Sequence, residues 1–530
     1  MPTLTWVGKD KVVNHHHEVP FRVLKKEYSF QAPHGVSPNS TYNRVIHGDN
    51  LEALKSLLPE FEGKVNCIYI DPPYNTGNEG WVYNDNVNDP KLKKWLGQVV
   101  GKEGEDLSRH DKWLCMMYPR LRLLRRLLAT DGVIFVSIDD IEITSLRLIM
   151  DEIFTPAKFI GQFIWKSRQN KDNRTKTGAS IDHEYVLCYG AEIRGSLRDI
   201  SGYNNDDYDP RGPWTSGNMV GLASKDARPN LHYDLIDPAT MVNYGCPRQG
   251  WRYDKSRMAI MIEENRVIWP KKKDGRPREK VFLEKLNNEH TGFSSLLPTD
   301  IFTYHGTREI EEIFGQRVFD FPKCSDFVAR LIEQATHGKP SAMVLDSFAG
   351  SGTTAHAVLK LNAQDGGNRR FILCETMDYA ETVTAERVRR VMRGYGEGQK
   401  AVPGLGGGFD YYTVGEPIFL DNDTLNEAVG TEAIRKYVAY TENIPELDQV
   451  GQDNQYTPYL LGLNNETAWV FNYEPKVATS LDIDFLASLK FGKDKPGTAI
   501  IYADRCLLTK EFMVKHRILF KKIPRDITRF

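Results

Sequence analysis

The sequence predicts an α/β fold in which helices cover a parallel β-sheet, and three observations support this. Strand and helix patterns alternate in two zones, about Tyr42 to Tyr189 and about Val318 to Gly394. The apolar run VNCIYI at 65–70 has the length and composition of a buried parallel strand. The segment VLDSFAGSGTT at 344–354 has the pattern of a strand, a turn of small residues and the start of a helix.

The elements of the first zone follow in order. RVIHGDNLEALKSLLPEF predicts a short strand and then a helix with leucines at helical spacing. The segment WLCMMYPRLRLLRRLLA at 113–129 predicts an amphipathic helix whose start is interrupted by Pro119. VIFVSID, KFIGQFIW and HEYVLCYG predict three further strands.

The second zone continues the pattern and fixes the expected domain boundaries. DFVARLIEQA predicts a helix with Ser325 or Asp326 as its N-cap, RRFILCE a strand, and ETVTAERVRRVMR a helix. The stretch between the zones is rich in aromatic, Pro, Gly and basic residues and has poor periodicity, which indicates an inserted domain. The expected division is an N-terminal arm at 1–41, one core half at 42–190, the insert at 191–317, the other core half at 318–398, and a C-terminal domain at 410–530.

Composition excludes several classes of protein. The chain has 530 residues, 40% of them hydrophobic and 26% charged, which suits about three globular domains and argues against wholesale disorder. No apolar run approaches the roughly 18 residues of a membrane span, and the N-terminus lacks a signal-peptide core. The seven cysteines are scattered without a CxxC pair, so we expect reduced thiols in a cytoplasmic protein. The net charge of −2 disfavours a dedicated polyanion binder, although it averages over domains.

The glycine-rich turn at 344–354 indicates a nucleoside site. Gly350 and Gly352 let the backbone approach a ligand closely, and Glu375, at the end of the next strand, can accept hydrogen bonds from two ribose hydroxyls. No lysine follows the glycines to bind phosphates, and the third glycine of a dinucleotide fingerprint is missing. A nucleoside ligand without an essential pyrophosphate remains, and S-adenosylmethionine is the obvious example. The alternative is a tight turn beside a surface glutamate.

The DPPY sequence, residues Asp71, Pro72, Pro73 and Tyr74, follows the strand at 65–70. Two prolines stiffen this loop at the sheet edge where α/β folds bind ligands. Asp71 and the carbonyl of Pro72 can each accept an N–H of a nucleobase amine, which frees the nitrogen lone pair for attack, and Tyr74 can stack on the base. Such a base must leave the duplex. The alternative is a proline-rich turn with Tyr74 covering the core.

DPPY before FAGSGTT, with an insert between them, resembles the β class of DNA amino-methyltransferases. HGDNLEAL at 47–54 is similar to the segment whose acid, Asp49, lies near the cofactor adenine, and Lys323 of FPKCSDFVARLIE matches the family's Pro-Lys pair. The blocks NTGNEGWVYND, WLCMMYPRLRLLRRLL, DGVIFVSIDD, NHHHEVPFR and LFKKIPRDI resemble the modification subunits of type III restriction–modification systems. The chain is shorter than many of those subunits, which leaves its partner contacts open.

The resemblance implies a fold and a set of functional residues. The fold is a Rossmann-like, S-adenosylmethionine-dependent methyltransferase sheet in circularly permuted order, with an inserted target-recognition domain and a C-terminal domain for dimer, partner or DNA contacts. Asp at the first motif position favours adenine N6 as the target, and cytosine N4 is the alternative. The residues implied to bind the cofactor are Asp49, Lys323, Asp346, Phe348, Ala349, Gly350, Gly352, Thr353 and Glu375.

Basic runs at 165–178 and 268–280 suit contact with DNA phosphates, and solvated loops are the alternative. The candidates are Lys166, Arg168, Lys171, Arg174, Lys271, Lys272, Lys273, Arg276 and Arg278. Near the C-terminus, Lys515, Arg517, Lys521, Lys522 and Arg525 form another basic set, whereas Glu416 to Glu474 is acidic and suits a solvated or protein-facing surface.

These expectations leave three hypotheses for the biological role. The leading one is an adenine-specific, site-specific DNA methyltransferase that binds double-stranded DNA as a homodimer and serves a helicase-nuclease restriction subunit. A second is a DNA-recognition subunit that mainly delivers such a partner, and a third is methylation of RNA or protein. We expect no metal, because the side chains of His15, His16 and His17 point in different directions on a helix or a strand.

Overall fold

The computed structural model describes residues 3–33, 43–75, 109–171, 178–272, 274–286, 289–297, 299–450, 456–492 and 496–528. The chain divides into two compact units. One contains Met1–Arg194 and Ser294–Phe530, and the other is the continuous segment Gly195–Phe293. Within the described ranges, none of the helices has the length and apolar character needed to cross a membrane.

The strands, numbered along the chain, lie mainly in the larger unit. They are β1 Arg22–Gln31, β2 Arg44–His47, β3 Val65–Ile70, β4 Leu128–Ile138, β5 Phe159–Trp165, β6 Glu184–Gly190, β7 Ser196–Leu197, β8 Trp214–Asn218, β9 Val267–Ile268, β10 Arg278–Phe282, β11 His290–Thr291, β12 Met343–Asp346, β13 Arg370–Glu375, β14 Gly394–Tyr395, β15 Val402–Pro403, β16 Gly408–Pro417, β17 Leu460–Leu463, β18 Thr467–Phe471, β19 Ser480–Leu481, β20 Thr498–Ala503, β21 Arg505–Cys506 and β22 Ile518–Lys522.

The described helices alternate with the strands of the core. They are α1 Lys9–Val12, α2 His15–Glu18, α3 Asn50–Phe61, α4 Arg109–Leu127, α5 Ile143–Phe154, α6 Lys255–Glu263, α7 Thr303–Phe314, α8 Ser325–Thr336, α9 Thr353–Asp365, α10 Glu386–Arg393, α11 Thr431–Thr441, α12 Ile483–Ser488 and α13 Lys510–Lys515. The α3 helix begins at a capped end, where the Asp49 carboxylate accepts the backbone N–H groups of Leu51 and Glu52 at 2.9 and 3.1 Å.

A nine-stranded sheet forms the core, in the order β1-β16-β2-β13-β12-β3-β4-β6-β5. The strands from β16 to β4 pair in parallel, whereas β1 at one edge and β6 and β5 at the other are antiparallel to their neighbours. Helices pack on both faces of the sheet, because successive side chains of a buried strand point to opposite sides and both sides are apolar here. The predicted Rossmann-like α/β fold is confirmed.

The two helical layers bury different residues of the same strands. Ile46, Ile68 and Ile134 join one hydrophobic cluster with α3, α4 and α5. Their neighbours Val45 and Cys67, which point the other way, are also fully buried. The helices α8 and α9 pack against each other, and α8 also contacts β3 and β4. Both helical layers thus pack on the parallel strands, whose carboxyl ends lie at one edge of the sheet.

Several expected boundaries differ from the structure. The N-terminal arm at 1–41 contains β1, which pairs with β16, and its Trp6 and Val12 are buried in the core cluster. The insert is the unit at 195–293 rather than 191–317, because α7 packs on α10 with Ile310 and Ile313 buried. The β16 strand, which straddles the expected start of a C-terminal domain at 410, is an inner strand of the core sheet.

Two helix boundaries also correct the sequence predictions. The α4 helix runs through Pro119 from Arg109, so this proline does not interrupt its start. Its first turns are stabilised by tertiary packing, since Trp113 and Met117 are fully buried. The α8 helix begins at Ser325, and Cys324 occupies the N-cap position without a side-chain cap. The Ser325 hydroxyl bonds to Glu309 instead.

The unit at 195–293 has its own small core. Its sheets are β8-β10-β9 and β11-β7, and Trp251, Met258 and Met261 are buried among its apolar residues. The buried Lys280 ammonium pairs with the carboxylates of Asp207 and Asp209. A charge that is paired in this way costs far less to bury than an isolated one.

The segment 418–528 lies in the larger unit and adds a four-stranded sheet in the order β17-β18-β20-β22. Its first helix, α11, packs against α3. The hydroxyl of Tyr440 on α11 accepts a hydrogen bond of 2.9 Å from the Arg126 guanidinium of α4. This region is therefore joined to the core by packing and hydrogen bonds.

Candidate active site

The strands β3 and β12 are parallel neighbours at the centre of the sheet. The connections that follow them lead to strands on opposite sides of this pair. β12 leads through α9 to β13, whereas β3 leads through α4 to β4 on the other side. The register pairs Val344 with Cys67 and Leu345 with Ile68, so the two strands end at similar heights. In α/β sheets such a reversal opens a crevice at the carboxyl edge, where ligands bind.

The crevice is a cavity of about 420 Å³. The DPPY loop supplies Asp71, Pro72 and Tyr74 to its wall, and Lys323 lies between the two loops. The wall residues of the glycine loop are Asp346, Phe348, Ala349, Gly350, Ser351, Thr353 and Thr354. The two motifs, which lie far apart in the sequence, thus face one space. Its volume falls in the range of small-molecule sites, roughly 300–1,000 Å³.

Neighbouring helices fasten the DPPY loop at two points. The indole N–H of Trp113 donates a 2.7 Å hydrogen bond to the carbonyl of Pro73. Asn75 adopts the left-handed conformation with φ of 63° and donates its amide N–H to the fully buried carboxylate of Glu142. The same carboxylate lies 2.6 Å from the ring of His110. These contacts define where the carboxylate of Asp71 points.

Asp71 belongs to a partly buried group of charged and polar side chains. The Lys323 ammonium lies 3.0 and 2.9 Å from the two Asp71 carboxylate oxygens and 3.3 Å from Glu184. It also donates to the Tyr74 hydroxyl at 2.8 Å, and that hydroxyl donates to Glu184 at 2.9 Å. Burial raises the pKa of Asp71, and the charge of Lys323 partly offsets this shift. Burial opposes the charge of Lys323, but Asp71 and Glu184 outweigh it and raise the pKa of that ammonium.

Two buried acids organise the glycine loop. Asp346 accepts the backbone N–H of Phe348 at 2.9 Å and the hydroxyl of Thr354. Glu375 accepts the N–H groups of Gly350 and Met377 at 2.7 and 2.9 Å. Burial raises the pKa of each acid to about 7, although these donors pull it in the other direction. Both acids therefore hold the loop through its backbone and side-chain donors.

A second set of contacts braces the same loop from the α10 side. The fully buried guanidinium of Arg387 donates to the hydroxyls of Ser351 and Thr353 at 2.9 and 2.8 Å. The Glu309 carboxylate on α7 lies 3.2 Å from the same guanidinium. Thr353 in turn donates to the backbone carbonyl of Lys323 at 3.1 Å. The glycine loop and the Lys323 segment are thus connected.

Comparison with known protein families decides to which family the chain belongs. The family described as DNA methylase, of the N6/N4 methyltransferase type, matches residues 65–386. The chain belongs to this DNA methylase family. The match spans both motifs and the segment between them, so the resemblance to DNA amino-methyltransferases is confirmed.

Individual relatives agree with the family match. The Mod subunit of the type III restriction-modification enzyme StyLTI of Salmonella typhimurium is 34% identical over 366 residues, 64% of this chain and 53% of its own length. The type II methyltransferase M.KpnI of Klebsiella pneumoniae is 32% identical over 66% of this chain and 84% of its own. The chain therefore spans about half the length of the type III relative.

A solved structure of M1.HpyAVI in complex with SAM aligns with 65% of this chain and 98% of its own. The identity is 14% and the TM-score is 0.30, a likeness too low to bear on function.

The predicted cofactor residues of this chain occupy two kinds of position. Asp346, Phe348, Ala349, Gly350, Thr353 and Lys323 lie in the cavity wall. Gly352 has a left-handed φ of 80° at the start of α9. Asp49 and Glu375 are not among the residues that line the cavity. Asp49 caps α3, and the Glu375 carboxylate accepts a backbone N–H of the glycine loop. Lys323, predicted to contact the cofactor, pairs with Asp71 in this structure.

The predicted DNA contacts are exposed where the structure describes them. Lys166, Arg168 and Lys171 are exposed, and Arg168 also lines the cavity. In the separate unit, the exposed residues are Lys271, Lys272, Arg276 and Arg278, and the Arg278 guanidinium donates to the Ser216 hydroxyl and carbonyl at 2.6 and 3.0 Å. Arg174 and Lys273 lie outside the described residues.

Two candidates for other chemistry lie away from the cavity. The rings of His16 and His17 lie 4.0 Å apart, while His15 approaches Glu18, so the histidines have different surroundings. Among the described residues, Glu309, Cys324 and Asp326 come within metal-ligand distance of one another. The Lys360 ammonium already pairs with Asp326, and its positive charge disfavours a second cation at these residues.

Several residues of the site gave no recognisable sequence signal. Glu184 begins β6, and it reaches the carboxyl edge of the parallel strands because β6 is antiparallel to β4. Glu142, Trp113 and Arg387 act through contacts with residues that are distant in the sequence. A mixed sheet with an antiparallel edge is the one signal that could have pointed to Glu184.

Proposed function

We propose that this protein is a site-specific DNA methyltransferase that transfers a methyl group from S-adenosylmethionine to the N6 amine of an adenine flipped out of duplex DNA. The observation that carries this proposal is the shared cavity, in which the Asp71 carboxylate and the glycine loop face each other. The family match and the names of the relatives agree with it.

The glycine loop fits a nucleoside cofactor. Phe348 offers an apolar side chain, and Gly350 and Thr353 border the space at the end of β12. Glu375 and Asp49 stand behind this wall, where a small movement of the loop would bring their carboxylates toward ribose hydroxyls or an adenine amine. When bound, S-adenosylmethionine supplies a methyl group on a positively charged sulfur.

The DPPY loop provides what the target amine needs. The Asp71 carboxylate and the Pro72 carbonyl accept the two N–H bonds and favour a tetrahedral nitrogen, whose lone pair then points at the methyl group. In the transfer, the amine nitrogen would take the methyl group as the sulfur–carbon bond breaks, which would leave neutral S-adenosylhomocysteine, and the nitrogen would then release one proton to water. Because Trp113 and Glu142 hold the loop, its acceptors are oriented before the base arrives.

The choice of base rests on the first motif position. Asp71 supports adenine, because the family resemblance associates Asp with N6-adenine and Ser with N4-cytosine. The cytosine reading stays as the alternative. The unit at 195–293 would read the DNA sequence, and its exposed Lys271, Lys272 and Arg276 would contact phosphates.

The type III relatives support a proposal about the biological setting. The chain would serve as a modification subunit in a type III-like system, working as a homodimer in the cytoplasm with a helicase-nuclease restriction subunit. The seven cysteines are unpaired, which suits a reducing compartment. The second candidate is a DNA-recognition subunit that mainly delivers the nuclease partner.

The test is to incubate the purified protein with S-adenosylmethionine and DNA of varied sequence and then to sequence the DNA for modified bases. N6-methyladenine at one recurring motif is the expected result. N4-methylcytosine would contradict the choice of base. No modified base on any DNA, together with tight sequence-specific binding, would favour the recognition subunit.

A further inference from the structure

The Lys323 ammonium occupies the place in the free protein that the proposed function assigns to the target base. We propose that Lys323 acts as a placeholder for the target amine, and that Glu184 retains its ammonium when the base enters. Glu184 is then a positioning residue that acts through Lys323. This inference rests on the proposed function and adds a step to it, the exchange of one nitrogen for another at Asp71.

The contacts of Lys323 are those expected of the target. Its ammonium donates to one Asp71 oxygen at 3.0 Å and lies 2.9 Å from the other, and this carboxylate is one of the two acceptors assigned to the amine, beside the Pro72 carbonyl. It also lies 4.7 Å from the centroid of the Tyr74 ring, on which the base would stack. The Lys323 ammonium thus contacts both the Asp71 carboxylate and the Tyr74 ring. The target base cannot bind to both while the ammonium stays there.

Glu184 provides a second carboxylate with which the displaced ammonium can pair. Its carboxylate, at the start of β6, lies 3.3 Å from the Lys323 nitrogen. A short rotation of the side chain would exchange Asp71 for Glu184 as the principal partner, with the ammonium still paired. Since an unpaired buried charge is costly, a route without Glu184 would oppose entry of the base.

The backbone of Lys323 stays fixed during this exchange. Its carbonyl accepts the 3.1 Å hydrogen bond from Thr353, which the buried Arg387 holds in turn. Only the flexible side chain needs to move. The glycine loop and the placeholder are therefore connected through one short segment, and the segment's position does not depend on the ammonium.

Other titratable groups face this centre and bear on a test that varies pH. Tyr69 from β3 and Asp346 from β12 lie close enough to interact with Asp71, as does the Tyr74 hydroxyl. Asp139, Asp140, Arg168, His183 and Asp320 lie around the same cavity. The pH measurement must therefore compare variants at one position at a time, so that this background is constant.

The experiment measures methyl transfer at varied DNA concentration for the full chain and for Glu184→Gln, Lys323→Met and the double variant. Glu184→Gln should lower kcat/KM for DNA roughly tenfold, because the Lys323 ammonium then stays at Asp71 and competes with the target amine. A tenfold change is equivalent to about one pKa unit at Asp71. The KM for S-adenosylmethionine should be unchanged. In the Lys323→Met background, the same change should have little further effect. Lys323→Met itself should move the acid limb of kcat/KM to higher pH, because Asp71 loses its neighbouring positive charge.

Matched controls separate this role from others. Lys436→Met and Glu432→Gln change an exposed pair on α11 and should be silent. Lys323→Arg keeps the charge and should keep the acid limb near that of the wild type, and circular dichroism reports whether each variant is folded.

The two hypotheses fail differently. If the wild-type chain methylates no DNA, the proposed function falls and the placeholder falls with it. If the wild-type chain methylates DNA but Glu184→Gln is equally harmful with and without Lys323, or the acid limb of Lys323→Met does not move, the placeholder alone is overturned.

Discussion

Trp113 and Glu375 show how single side chains prepare the cavity before any ligand is present. Trp113 holds a carbonyl of the DPPY loop, and Glu375 holds the N–H of Gly350 in the glycine loop. Each contact joins a reactive segment to a rigid element of the core. The cavity is therefore preorganised by hydrogen bonds to backbone atoms, which act on position rather than on chemistry.

Replacing Trp113 by Phe should separate position from packing. The ring stays buried, but the Pro73 carbonyl loses its 2.7 Å donor. We expect a loss of about 1 kcal/mol in the free energy of unfolding and a lower kcat, measured by denaturant titration and methyl-transfer kinetics. The control is Trp165→Phe, which removes a similar buried bond of 2.8 Å to Ile301. An equal fall in kcat for both variants would contradict a specific role for Trp113.

Glu375 gives the protein a predictable dependence on pH. Burial raises the pKa of its carboxyl from 4.5 to about 7, so the folded protein binds this proton more tightly than the unfolded chain does. Its contribution to stability is full below pH 4.5 and is lost as the pH rises through about 7. Relative to wild type, Glu375→Gln should therefore gain at least about 1 kcal/mol between pH 5 and pH 8 in unfolding titrations. The exposed change Glu432→Gln should show no such trend, and a flat difference for Glu375→Gln would refute the assignment.

The residues that the sequence could predict are those whose roles are local. Asp71 and Gly352 sit in short motifs whose spacing implies a turn after a strand, and the structure places both at the carboxyl edge. Lys323, Glu184 and Arg387 act across the fold, so their partners depend on strand order and helix packing. Lys323 illustrates the difference, because its motif suggested a cofactor contact and its tertiary neighbour is Asp71.

The start of α9 tests the glycine loop as an element. Gly352 has a φ of 80°, and an added Cβ would lie 3.0 Å from the carbonyl of Thr384. Gly366 at the other end of the same helix has a φ of 69° and open space around it. Both alanine variants should lose roughly 1 kcal/mol from backbone strain, but only Gly352→Ala should also weaken S-adenosylmethionine binding. Calorimetric titration distinguishes them, and equal affinities would show that the loop tolerates displacement.

Elements with strong periodicity were predictable, and their ends were less so. The strands β2, β3, β4, β5, β6, β12 and β13 and the helix α9 appear where the sequence patterns indicated, because apolar runs and glycine turns carry that information locally. The α4 helix was predicted too short, since a proline inside a helix is normally unfavourable and only tertiary burial of residues such as Trp113 compensates. The pairing of β1 and β16 is a long-range contact that no local pattern reveals.

For the whole molecule, the near-neutral charge is a sum of unlike surfaces. Lys521 near the C-terminus pairs with Glu442, and Arg525 pairs with Asp526, so part of the basic C-terminal set is neutralised within the chain. Lys271 and Lys272 form no ion pair with the residues that the structure describes. A net charge of −2 therefore says little about DNA binding.

The salt dependence of DNA binding should distinguish these lysines. Changing Lys271 and Lys272 together to Ala should reduce the slope of log affinity against log salt concentration by about 2, because each phosphate contact releases counterions. Lys521→Ala, which removes a lysine already paired with Glu442, should leave the slope unchanged. Fluorescence anisotropy at several salt concentrations measures both. Equal slopes for all three proteins would place the DNA contacts elsewhere.

The most direct test of one cavity serving both cofactor and target compares Asp71→Ala with the wild-type protein in two assays. Asp71 faces the cavity but belongs to the loop assigned to the target amine, so its loss should reduce methyl transfer at least about a hundredfold while S-adenosylmethionine still binds with wild-type affinity. Asp131→Ala, at an exposed pair with Lys339, serves as the control for loss of an acid. Loss of both transfer and cofactor binding would mean that the loop is structural, and transfer at the wild-type rate would contradict the account.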